Sequence, residues 1–152
     1  MIYIGICTND TSITHCLKKE IMKYNRNDIS LQLCDTQSRF DIVLISPNTT
    51  SSGTFHTNLL IAPESINIRA LEASDFKNVI SYGLCRKNTI TMSSLSEKRL
   101  TVAVQRKIPI CSSRTIDEQE ISRLLIPDLS IEENLGIIAT LIAIGVLPAE
   151  HF

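Results

Sequence analysis

IYIGICTNDTSITHCLKKEIMKY, residues 2–24, changes its hydrophobic period halfway along. Ile2–Ile6 is a compact apolar run of strand type. From residue 12 the period becomes helical: Ile13, Cys16, Leu17, Ile21 and Tyr24 fall on one stripe, with Lys18, Lys19, Glu20 and Lys23 mostly outside it. Asp10, Thr11 or Ser12 can cap that helix. A strand, a short polar turn and a helix form the opening unit of a parallel α/β sheet.

The rest of the first half repeats this rhythm. Asn25–Asp28 reads as a turn and Ile29–Cys34 as a strand. Ile42–Ile45 is continuous and β-branched, as in strands buried on both faces. SPNTTSSGT, residues 46–54, is a loop of low complexity. Leu59–Ala62 is a strand, Ile66–Phe76 a short helix, and Val79–Tyr82 a strand ended by Gly83. After residue 87 the pattern becomes antiparallel. Thr89–Leu95 and Leu100–Gln105 flank a turn at SEKR, and residues 106–126 suggest a further hairpin. A last helix, about Glu132–Ile144, is capped by Asp128 or Ser130, is apolar nearly all round, and stops at Gly145 with Pro148 beyond. The expectation is one domain over 1–152: a Rossmann-like three-layer α/β fold, mostly parallel N-terminally, with antiparallel strands and a buried helix C-terminally.

Composition narrows the function. The chain has 152 residues and a net charge of −1, which argues against nucleic acid or a membrane surface as partner. Its longest apolar run, Leu135–Leu147, is too short to span a bilayer. The five cysteines are odd in number and lack a C-x-x-C pair, which predicts reduced thiols in a cytoplasmic protein. His15, His56 and His151 lack zinc-like spacing, so no metal is expected. No G-x-S-x-G elbow or recognisable cysteine nucleophile is present.

CTNDTSIT, residues 7–14, resembles the phosphate loop G-T-N-G-K-T-T-T of the central, ATP-binding domain of the Mur ligases. Cys7 stands at the first Gly, Thr8 and Asn9 are retained, Asp10 stands at the second Gly, Thr11 at the Lys and Ser12 at the next Thr. Residues 59–84 are similar to that family's strand, N-A-D-D-P, helix and strand ending in T-Y-G, with Ala62, Glu64, Tyr82 and Gly83 matching. Residues 133–152 resemble its last helix, with Glu133 at the motif's Asn and Asn134 one place later. The resemblance covers most of the chain, in order, and implies descent from a ligase core.

The departures imply lost chemistry. A phosphate loop needs glycines so that backbone N–H groups converge on phosphate, and a Lys for charge. Here both glycines carry side chains, Thr11 cannot replace the Lys, and Asp10 places an anion where phosphate would sit. Such like charges cost about 1–4 kcal/mol at close range. The expectation is a non-catalytic protein with no cofactor, binding a protein or small-molecule partner, linked by the resemblance to cell-wall synthesis or its regulation. Thr8, Asn9, Asp10, Thr11 and Ser12 are vestigial phosphate-loop positions. So short a domain leaves apolar surface to cover, which points to a homo-oligomer. Two alternatives stand beside this reading. A related enzyme would bind a nucleotide, ATP with Mg²⁺, or another phosphorylated ligand through Thr8, Asn9 and Ser12. A degenerate response-regulator receiver would place Thr8 and Asn9 at its acidic pair and Ser46 at its phospho-acceptor.

Overall fold

The computed structural model describes residues 1–49, 54–66, 71, 74–111 and 114–148. Strand β1 (Ile2–Cys7) leads through three residues into helix α1 (Thr11–Met22). Then come β2 (Ile29–Leu33), β3 (Arg39–Ile45), β4 (His56–Pro63) and β5 (Asn78–Tyr82). The second half holds β6 (Ile90–Leu95), β7 (Arg99–Val104), β8 (Ile108–Pro109), β9 (Thr115–Ile116), β10 (Gln119–Leu124) and helix α2 (Ile131–Ala143).

Eight of these strands form one sheet in the order β10-β7-β6-β5-β4-β3-β1-β2. The pairs from β2 to β6 are parallel, whereas β6–β7 and β7–β10 are antiparallel. The parallel portion, β2-β1-β3-β4-β5, has the order of flavodoxin-like sheets, whose chain reverses direction between β1 and β3. The expected α/β class is therefore present, with its antiparallel extension and its buried last helix.

Both helices contribute to one core, on one face of the sheet. Ile13, Leu17 and Ile21 of α1 join Ile4 and Ile6 of β1, Ile42 and Leu44 of β3, and the α2 side chains Leu135, Ile138, Leu141 and Ile142. Every residue from Asn134 to Ala143 is buried, which explains why α2 reads as apolar all round. On the other face a smaller cluster joins Phe40, Val43, Ile45, Leu60 and Ala62 to Phe55 and Leu71. The sheet centre is thus covered on both sides, giving the Rossmann-like three layers. Over the antiparallel strands the outer face is polar: β7 buries Leu100, Val102 and Val104 while Arg99 and Thr101 alternate with them toward solvent.

The boundaries differ from expectation in informative ways. Helix α1 starts one residue earlier, because Asp10 is its cap, and ends at Met22; Asn25 takes the left-handed conformation just beyond it (φ 53°). β4 begins at His56, since Thr57 is already fully buried. The hairpin expected over 106–126 divides instead. β8 and β9 make a small ladder of their own, and β10 joins the main sheet against β7. The helix expected over 66–76 lies mostly outside the described residues. Ser130, not Asp128, caps α2 in a full capping box with Glu133.

The sheet also curls. Arg123 lies on β10, one end of the strand order, yet its guanidinium reaches Glu20 on α1 at 2.9 Å and the Tyr24 hydroxyl at 2.6 Å. Helix α1 follows β1, near the opposite end. The two ends of the molecule therefore close around α2, fastened by a pair in which Glu20 is buried.

Candidate functional site

In open parallel sheets, ligands bind beyond the carboxyl ends of the strands, above all where the strand order reverses. Here that place is the crevice between the ends of β1 and β3. Cys7 and Thr8 supply one wall, and Ser46 and Thr49 the other. The crevice is closed by internal hydrogen bonds. The Ser46 N–H donates to the Cys7 carbonyl at 2.9 Å, and the Thr49 hydroxyl donates to the same carbonyl at 3.4 Å. Thr49 and Ser46 also share a hydroxyl–hydroxyl hydrogen bond.

The N-terminus of α1 opens beside this crevice. Its free N–H groups and dipole make it the natural anion site of the fold. Asp10 fills that role itself: its Oδ1 accepts from the Ser12 N–H at 2.9 Å. The Thr8 hydroxyl accepts from the Asp10 N–H at 3.1 Å and donates to the Asp10 carbonyl at 2.8 Å, tying the turn together. Only Thr8, Asn9 and Asp10 separate strand from helix, and no basic residue stands in the first turn. Thr8 is half-buried, whereas Asn9, Asp10, Thr11 and Ser12 are exposed. The Asp10 carboxylate is thus built into the turn.

That arrangement predicts a pH dependence. The Ser12 backbone and hydroxyl hydrogen bonds hold the Asp10 carboxyl below its ordinary value. A lowered folded pKa stabilises the fold above the unfolded carboxylate range, about 4, and the contribution disappears as pH falls through the folded value. Asp10→Ala is therefore expected to lower the melting temperature at neutral pH, and to have no effect well below the carboxylate range. Asp10→Asn, which keeps a capping oxygen, retains most of the stability. Circular-dichroism melts at the two pH values check both points.

A second carboxylate closes the ends of β4 and β5. Glu64, just after β4, accepts from the backbone N–H groups of Leu84 (3.2 Å) and Cys85 (3.0 Å) and from the Asn88 amide (2.8 Å). Partial burial works to raise its pKa, but the hydrogen bonds from Asn88, Cys85 and Leu84 outweigh it, so the carboxyl titrates below its usual range. Gly83 makes this approach possible. Its φ is +154°, and a Cβ there would lie 2.5 Å from the Glu64 carboxyl carbon. The fully buried Tyr82 donates its hydroxyl to the Ile45 carbonyl at the end of β3, and its ring lies against Gly136 of α2, where a Cβ would come within 3.0 Å. Glu64 therefore meets the Gly83 turn, and Tyr82 meets the last helix.

Asn134 has a structural role. Its side chain accepts from the Ile126 N–H and donates to the Ile126 and Ser130 carbonyls, holding the chain that enters α2. None of the five cysteines is in a disulfide. Burial pushes the Cys34 thiol up to about 12 and the Cys111 thiol up to about 11, far from a nucleophile's range. Among the described residues no group of His, Cys, Asp and Glu side chains is placed to hold a metal ion, and no helix is long and apolar enough to cross a membrane. The Glu64 latch and the Arg123 clasp went unread in the sequence, since each joins residues distant along the chain.

No family model, no curated protein and no solved structure matches this chain.

Proposed function

We propose that the chain is a non-catalytic, Mur-ligase-like bacterial protein that acts in the cytoplasm by binding a protein or small-molecule partner, in cell-wall synthesis or its regulation. The observation that carries the loss of nucleotide chemistry is the Asp10 carboxylate on the Ser12 N–H. It occupies the position that phosphate would need, and no lysine accompanies it. The kinship itself rests on the resemblance in order and on the contacts among its parts, Glu64 with the Gly83 turn and Tyr82 with Gly136. Millimolar MgATP is expected to leave the melting temperature unchanged. A nucleotide in hundredfold excess over its dissociation constant would stabilise by about 2.7 kcal/mol, roughly a 5–10 °C rise for a domain of this size. Such a rise would instead support the enzyme that holds ATP and Mg²⁺ through Thr8, Asn9 and Ser12.

One observation favours a second reading. The order β2-β1-β3-β4-β5 brings Thr8 and Asn9, after β1, beside Ser46, after β3. A working receiver has acids at these positions, and here all three are replaced by Thr8, Asn9 and Ser46. The antiparallel strands and α2 fall outside that comparison, which is why the first reading is preferred.

A further inference from the structure

Strand β2 ends the sheet, and one of its edges is free. Its pairing with β1 fixes which backbone groups face outward. The Ile2 N–H donates to the Asp28 carbonyl, and the Cys34 N–H donates to the Ile6 carbonyl. In the evenly spaced parallel ladder between these bonds, the even-numbered residues of β2 are the ones bonded to β1. The N–H and C=O groups of Ile29, Leu31 and Leu33 therefore point away from the sheet. None of them has a hydrogen-bond partner among the described residues.

Free sheet edges are normally guarded by charges, proline or a bulge, because an unguarded edge is a template for another strand. The opposite end strand, β10, carries Glu120 and Arg123. β2 carries none of these devices: its sequence is ISLQL, and it pairs with β1 without a register break. Its side chains alternate. Ile29 and Leu31 pack half-buried against the core on the α1 side, and Leu33 follows on that face with 60% of its surface exposed. This edge is complementary to itself. In an antiparallel pair, a hydrogen-bonded position must bring together two residues whose groups both face outward. Placing Leu31 against the partner's Leu31 on a twofold axis does so, and sets Ile29 against the partner's Leu33. About six backbone hydrogen bonds result, two from each of three such pairs. The apolar side chains of both strands then share one face, which covers Leu33, while Ser30 meets the partner's Gln32 on the other. No residue of β2 is charged, so the ladder contains no like-charge pair.

We propose that the chain forms a twofold homodimer by antiparallel pairing of β2 with β2 of a second copy, joining two eight-stranded sheets into one. This gives the oligomer expected from the sequence a specific interface. Five residues a side fall well short of the roughly 20–30 of a standard interface, so the dimer is reversible and depends on concentration. It does not involve the α1 turn, so it stands or falls independently of the function proposed above.

The test uses the full chain in two measurements. Sedimentation equilibrium between about 50 µM and about 1 mM should show monomer passing to dimer and nothing larger. Amide hydrogen exchange, read by ¹H–¹⁵N NMR at both ends of that range, should show an alternation along β2. The Ser30 and Gln32 amides, bonded to β1, are protected at either concentration. Those of Ile29, Leu31 and Leu33 should exchange severalfold more slowly in the concentrated sample. Leu33→Lys, at an exposed position, should keep the melting temperature of the dilute protein and weaken association at least tenfold. A monomer throughout the range would overturn the proposal. So would a dimer in which the Ile29, Leu31 and Leu33 amides stay fast, or one that Leu33→Lys leaves intact, because its interface lies elsewhere. Open-ended polymers, the product of β2 pairing head-to-tail with β10 of the next copy, would overturn it as well.

Discussion

Tyr82→Ala is expected to destabilise the protein by about 3–5 kcal/mol, the range for emptying a buried aromatic site. For a domain of this length that is a fall in melting temperature of roughly 6–20 °C. The reason is the position of the ring. Tyr82 is fully buried at the end of β5, lies against the backbone of α2 at Gly136, and donates to the Ile45 carbonyl of β3. Alanine would leave a cavity between helix and sheet and remove a side-chain hydrogen bond between the two strand ends. Tyr82→Phe keeps the ring and removes only the hydroxyl, so it should cost about 1–3 kcal/mol through the carbonyl left without its donor. Denaturant melts of both variants separate the two contributions. Equal losses would mean that the hydrogen bond dominates and the packing against Gly136 contributes little.

The second large effect is expected at Arg123. Removing one partner of a buried ion pair leaves an uncompensated charge, typically a loss of about 3–5 kcal/mol. Arg123→Ala should fall near the lower end of that range, about 3 kcal/mol, because Lys23 also contacts Glu20, at 2.8 Å from the exposed surface. The loss has a packing part as well, since the guanidinium lies 6.0 Å from the centre of the Tyr24 ring. The double variant Glu20→Gln, Arg123→Met should recover much of this, because neither member is then an isolated buried charge. A double-mutant cycle is expected to give a coupling of about 1–3 kcal/mol. Additive single effects would contradict the clasp between the β10 end of the sheet and α1.

Periodicity carried most of the fold. The switch from a β run to a helical stripe at residues 2–24 locates β1 and α1, and the β-branched run at Ile42–Ile45 locates the buried half of β3. The run from Asn134 to Ala143 reads as a buried helix because it is one. Local periodicity says nothing about which strands neighbour which. The strand order, the fate of residues 106–126 and the curl that brings Arg123 to Glu20 depend on contacts up to a hundred residues apart. The site was partly legible for the same reason. Asp10 could be named as a candidate cap from its position. Glu64 drew notice only as part of a motif, and its partners Leu84, Cys85 and Asn88 lie about twenty residues on.

Internal carboxylates, Asp10 at the cap of α1 and Glu64 just after β4, already hold the N–H groups an anionic ligand would use. The most direct measurement is a ¹H–¹⁵N NMR titration with MgATP and separately with pyrophosphate, read at the amides of Ser12, Leu84 and Cys85. All three are expected to stay in place at millimolar ligand. Saturable shifts at Ser12, abolished by replacing Thr8 or Ser12 with alanine, would contradict it and place a working phosphate site at the start of α1.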